Sequence, residues 1–213
     1  MSSARSVTVE ELRARVAAME HRAAGEPVPT LPGLTDIVPM HAGSTYAVDS
    51  ASLALALAAG ASRAGEWVGF AGCSDFGAEA ASELGIELSR TVLVPDPGEH
   101  WLEVTAALVD VLRVVVLRPP ASVSERAAGV LDSRLRTRSA VLVVHGPWPR
   151  AAARLSVETS TWFGPAAGSG RLVERRASIA VHRGARPPHR ADLTWPGVHR
   201  SEPAIRDIQR VSG

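Results

Sequence analysis

R-V-V-V-L (Arg113–Leu117), a helical stretch over Ser122–Arg136 and A-V-L-V-V (Ala140–Val144) together decide the fold class. Each short run is apolar, β-branched and uninterrupted, the pattern of a strand buried on both faces of a parallel sheet. The stretch between them supplies the crossover that two parallel strands require. Working upstream, the same alternation repeats. Ser44–Val48 reads as a strand, Ser50–Arg63 as an Ala/Leu helix capped by Asp49 or Ser50, and Trp67–Ala71 as a buried strand. Ala78–Leu84 is a helix stopped by Gly85, Thr91–Val94 a strand, and Gly98–Leu112 an amphipathic helix. The expected class is α/β, with a mostly parallel sheet flanked by helices.

Downstream of His145 the period changes. Arg154–Phe163 and Leu172–Arg183 alternate in strand fashion around the turn-rich G-P-A-A-G-S-G, and Ala191–Trp195 is a further short strand. These predict an antiparallel C-terminal extension of the sheet. At the other end a separate N-terminal helix starts at Ser6 or Thr8, with Val9, Leu12, Val16 and Met19 at helical spacing. Gly25–Pro32 (G-E-P-V-P-T-L-P) cannot continue it and reads as a stiff linker. The expected organisation is residues 1–32 as helix and linker, 33–195 as the α/β domain, and 196–213 as a polar, flexible tail, with its ordering on a partner left open.

The 213 residues include 23 basic ones, all arginine, and 22 acids. With no lysine in the chain, Schiff-base chemistry, a lysine general base and a phosphate-loop lysine are excluded. One cysteine, Cys73, excludes a disulfide scaffold or a cysteine-rich zinc module. Net charge is +1, but residues 1–112 carry 15 acids against 6 arginines, and residues 113–213 carry 17 arginines against 7 acids. The halves therefore stand at −9 and +10, and the second is either a solvated basic surface or a contact face for nucleic acid or an acidic partner. The sequence shows neither a signal-type apolar run nor a membrane-length segment. The expected location is cytoplasmic, with nucleoid association open.

Catalytic patterns are sparse. The seven histidines lack the spacing and acid partner of a helical zinc site. Cys73, in G-C-S-D-F-G after a strand, reads as a small core residue before it reads as a nucleophile. A phosphate loop needs glycines and a lysine between the first strand and its helix. Here the junction is Y-A-V-D-S-A-S-L (Tyr46–Leu53), with an acid where a triphosphate would sit. No cofactor or metal is expected.

The order of segments resembles the core of RecA-type recombinases, and most of all the RecA-related accessory proteins of the ImuA class, in particular the ImuA-prime type. The resemblance runs from about Leu12 to Arg183. It is carried by A-S-L-A-L-A-L-A-A-G after the first strand, by A-A-S-E-L-G-I-E-L-S-R-T-V-L-V-P-D-P-G-E-H-W-L-E-V (Ala80–Val104), and by R-L-V-E-R-R-A-S-I-A-V-H-R (Arg171–Arg183). The last is similar to the strand after a recombinase's second DNA-binding loop. Three departures point one way. The phosphate loop is missing at Asp49–Ser52, the magnesium-associated aspartate is replaced by Leu117 or Arg118, and the catalytic glutamate by Ser74 or Asp75. The resemblance thus implies a RecA-like fold without its ATPase, not an enzyme.

The role implied by the resemblance is accessory. Such proteins work with an inactive Y-family polymerase homologue (ImuB type) and an error-prone replicative-type polymerase in damage-induced translesion synthesis, the mutasome of the SOS response. The alternative is a cell-division inhibitor of the SulA type, which binds the tubulin-like division protein. Candidate partner-binding residues fall in three places. Leu12, Val16 and Met19 either swap onto a neighbouring copy or pack on their own core. Trp148, flanked by Arg150 and Arg154, either stacks on a partner or packs as a lid. Arg171, Arg175 and Arg176 alternate with apolar residues, so some face outward, as a basic contact face or a solvated one. Whether DNA is met directly or through the partner is left open.

Overall fold

The computed structural model describes residues 25–163 and 174–195. Among the described residues there are ten strands and five α-helices. β1 (Pro27–Val28) and β2 (Met40–His41) form a small antiparallel pair, with α1 (Pro32–Thr35) between them. Next come β3 (Thr45–Val48), α2 (Ala51–Arg63), β4 (Val68–Ala71), α3 (Ala78–Leu84), β5 (Thr91–Val94) and α4 (Trp101–Val111). The series continues with β6 (Val114–Leu117), α5 (Glu125–Arg138), β7 (Val141–His145), β8 (Ala153–Phe163), β9 (Glu174–His182) and β10 (His189–Trp195).

The main sheet has eight strands in the order β10-β9-β8-β3-β7-β6-β4-β5. All pairs from β8 to β5 are parallel, and β8–β9 and β9–β10 are antiparallel. This is the mixed α/β architecture expected from the sequence. The central runs are apolar because both faces are covered. On β6, Val114 and Val116 join the core under α2 and α3, while Val115 and Leu117 join the core under α4 and α5. β7 repeats the division, with Val141 and Val143 on one side and Leu142 and Val144 on the other. Each such side chain contributes about 1.5–3 kcal/mol on burial.

Residues 25–32, read from the sequence as a stiff linker, pack on the core. Val28 is buried in the main core, and Thr30 packs so closely on α2 that a Cβ at Gly60 would lie 2.3 Å from the Thr30 Cα. Arg113, at the foot of β6, donates to the Ser139 carbonyl at 2.6 Å and to Glu26 at 3.0 Å, tying the segment down. Packing runs on from this segment into the rest of the described domain. Leu12, Val16 and Met19, Arg171 and the tail 196–213 lie outside the described residues. Among the described residues, no helix is long and apolar enough to cross a membrane.

The strand order also turns the charge split into a spatial one. β4 and β5, from the acidic half, form one edge of the sheet, and β8–β10, from the basic half, form the other.

Candidate binding cleft

β3 lies between β7 and β8, and the chain leaves β3 and β7 toward opposite faces of the sheet. After β3 it turns at once into α2, on one face. After β7 it runs through the 146–152 loop, whose Trp148 packs into the core of the opposite face. A crevice opens at the carboxyl ends of strands where such connections diverge. Here it is an open cleft of about 930 Å³, bounded by Val48 and Asp49, by the 146–152 loop, by Ser122 and Val123 before α5, by His182 at the end of β9 and by Gly184 after it.

The β3–α2 connection is Asp49–Ser50 alone. Two residues form no ring of backbone amides around a phosphate chain. The Asp49 carboxylate instead accepts the Val157 amide, with both oxygens at 3.2 Å from the nitrogen. At the head of α2, Ser52 Oγ accepts a hydrogen bond from Arg175 at 2.6 Å. Thus the place where a phosphate loop would lie is tied to the start of the β8–β9 hairpin.

One strand further out, Arg118 after β6 pairs with Asp75 after β4 at 2.9 Å. The guanidinium holds the Asp75 carboxyl below its ordinary range, first by that hydrogen bond and then by charge. Gly72 makes the approach of these loops feasible. Its φ is +73° and a Cβ there would lie 2.1 Å from the Arg118 carbonyl oxygen. Beside them, Cys73, Asp75 and His145 border a small cavity of about 40 Å³. Burial, with the Asp75 charge adding to it, pushes the Cys73 thiol up to about 11, so it stays protonated at neutral pH. Among the described residues no group of three or more His, Cys, Asp or Glu side chains is placed to hold a metal ion.

Trp148 takes the second of its two expected places. It is 1% exposed and belongs to the core beneath α4 and α5, so it packs as a lid and offers no ring to a partner. The two prolines beside it turn the loop inward, and burial of the indole outweighs display of the ring. Its Nε1 has no hydrogen-bond partner among the described residues. Arg150 and Arg154 do not flank an exposed ring, but both line the cleft. Arg150 is held to Glu125, at the head of α5, at 2.5 Å, and Arg154 donates to the Trp148 carbonyl at 3.4 Å.

Arg175 and Arg176 are separated by the strand period and point to opposite faces. Arg175 bonds Ser160 at 2.6 Å as well as Ser52, and its guanidinium lies 5.4 Å from the Trp162 ring centre. Arg176 lies 4.8 Å over Phe163 on the other face. The two rings are 55% and 43% exposed, which makes this arm an exposed aromatic surface. Successive aromatics in T-S-T-W-F, at a strand end, must point to opposite faces, and that signal is present in the sequence.

The segment that carries the cleft's β3 and β7 walls is shared with other proteins. The family model of the MT3502 N-terminal domain matches residues 33–150, more than half of the chain. The chain belongs to the MT3502 N-terminal domain family. The family match begins at α1 and ends at Arg150, in the loop that borders the cleft; β8–β10 lie beyond it. The chain is also 32% identical over 156 residues to the Mycobacterium tuberculosis protein named "Uncharacterized protein Rv3395c", covering 70% of this chain and 74% of that one. In this member of the MT3502 family, β3 and β7 thus belong to the family domain, and the strands that close the cleft come after it.

Proposed function

We propose that this protein is a non-catalytic scaffold of RecA-like descent, an accessory subunit of a damage-induced translesion-synthesis complex. The observation that carries the non-catalytic part is the Asp49–Val157 tie. A carboxylate and a strand amide occupy the region where a recombinase would hold phosphates, and the β3–α2 turn has two residues and no lysine. The Arg118–Asp75 pair supports it further, since a cation stands where a magnesium-associated acid would be and neutralises the remaining carboxylate.

The partner is a Y-family polymerase homologue of the inactive, ImuB type, and through it an error-prone replicative-type polymerase. Support comes from the aromatic–arginine arm of Trp162, Phe163, Arg175 and Arg176, because exposed aromatics and arginines are the residues that dominate interface energetics. DNA is reached through that partner in this reading. Two measurements test it. Pure protein titrated with ATP gives no saturable binding at micromolar nucleotide, and saturable binding there overturns the non-catalytic reading. Co-expression with the polymerase homologue of its own genome yields a complex that survives affinity purification, and separate elution overturns the scaffold reading.

A further inference from the structure

The 930 Å³ cleft is at the large end of ligand-binding clefts, yet the scaffold reading gives it no task. Its chemistry is mixed in a particular way. Arg154 and His182 are exposed donors that stand opposite one another in the β8–β9 register. Asp49 is an exposed acceptor whose carboxylate keeps lone-pair capacity beyond the one amide it receives. Between them the walls are apolar, with Val48, Val123, Leu155 and the prolines of the 146–152 loop. Trp148 also lines the cleft, and its indole N–H is buried without an acceptor among the described residues.

We propose that this cleft receives a short acidic, partly apolar peptide segment of the protein partner. The identity of that partner rests on the scaffold reading; the cleft's preference for such a segment does not. A peptide backbone carries donors and acceptors together, which answers Asp49 on one side and Arg154 on the other. Its carboxylate side chains face Arg154 and His182, and its apolar side chains cover the walls. The match rests on Arg154 and His182, which face each other across β8 and β9 at the cleft, while Arg150 stands at its rim in the pair with Glu125. A nucleic-acid strand fits less well, because its phosphodiester links carry a closely spaced run of negative charge and no N–H to donate to Asp49, whereas a peptide spaces its carboxylates and brings backbone N–H groups.

The test uses the full chain and a fluorescent peptide of alternating Glu and Leu, with a Lys/Leu peptide and an oligothymidylate as competitors, read by anisotropy. The Glu/Leu peptide binds saturably and weakens as salt rises from about 50 to 200 mM. Arg154→Glu and His182→Glu each weaken it about tenfold or more while the far-ultraviolet circular dichroism is unchanged. Val130→Glu, on the exposed face of α5, leaves it unchanged. Absence of saturable binding, undiminished binding by both cleft variants, or stronger binding of oligothymidylate overturns the proposal. Retention of the polymerase homologue is measured on the same variants. A partner held equally by wild type and both variants removes the cleft proposal and keeps the scaffold; peptide binding without partner retention does the reverse.

Discussion

Asp49 and Val157 are 108 positions apart in sequence, yet the Asp49 carboxylate accepts the Val157 amide and so fastens the head of α2 to the β8–β9 hairpin. The contact sits just before the bulge at Glu158, where the β8–β9 register shifts. Bulges bend a strand and re-aim its continuation. The tie therefore fixes the direction in which the aromatic–arginine arm leaves the sheet.

Asp49→Ala removes the acceptor from the Val157 N–H. In urea unfolding it costs about 1 kcal/mol, because an exposed amide regains water when its partner goes. Hydrogen exchange at Val157 rises at the same time. An unchanged exchange rate there would show that the carboxylate does not hold the hairpin.

Gly72→Ala places a methyl 2.1 Å from the backbone carbonyl of Arg118, in a residue with φ of +73°. Both the clash and the left-handed backbone oppose it, and the obstructing atoms are backbone that cannot swing away. The expected loss is about 3 kcal/mol or more, seen as a lowered denaturation midpoint. Gly98→Ala, also at positive φ but with open space around it, costs about 1 kcal/mol.

Cys73 reacts slowly with iodoacetamide. With its thiol pushed up to about 11 from an ordinary 9.0, the thiolate fraction at pH 8 is about a hundredfold lower than for a free thiol. Because the folded value is raised, the protonated thiol's contribution to stability is complete below pH 9 and is lost as pH climbs toward 11. Asp75→Asn removes a charge that raises the value, so alkylation quickens; removing Arg118 slows it. Alkylation at the free-thiol rate in the native protein contradicts this placement.

Trp162→Ala with Phe163→Ala leaves the melting temperature within about 2 °C of wild type, since both rings are substantially exposed. Retention of the polymerase homologue falls at least tenfold, as for aromatic anchors at an interface. Full retention would place the partner elsewhere on the surface.

The sheet is legible in the sequence because its buried strands are written in apolar runs, as in V-V-V-L and V-L-V-V, and one helix end is written in Gly85. The small β1–β2 pair and α1 are not, because Pro27 to Pro39 offers no period and is shaped by contact with α2 through Thr30 and Gly60. At the site, the sequence points to Arg150 and Arg154 and leaves Trp148 open between display and burial. Whether a loop tryptophan turns inward depends on the room beneath α4 and α5, a tertiary property that no local pattern encodes. The split of Arg175 from Arg176 comes from strand period alone; their different partners, Ser52 and Phe163, depend on the bulged register of the hairpin.

The central claim, a scaffold that binds a polymerase-like protein and no nucleotide, is tested most directly by affinity purification of the tagged chain from its DNA-damaged native host, with the bound proteins identified by mass spectrometry. The account predicts a Y-family polymerase homologue in near-stoichiometric amount, lost on Trp162→Ala with Phe163→Ala. Recovery of the tubulin-like division protein in its place, or of no polymerase homologue, would contradict it.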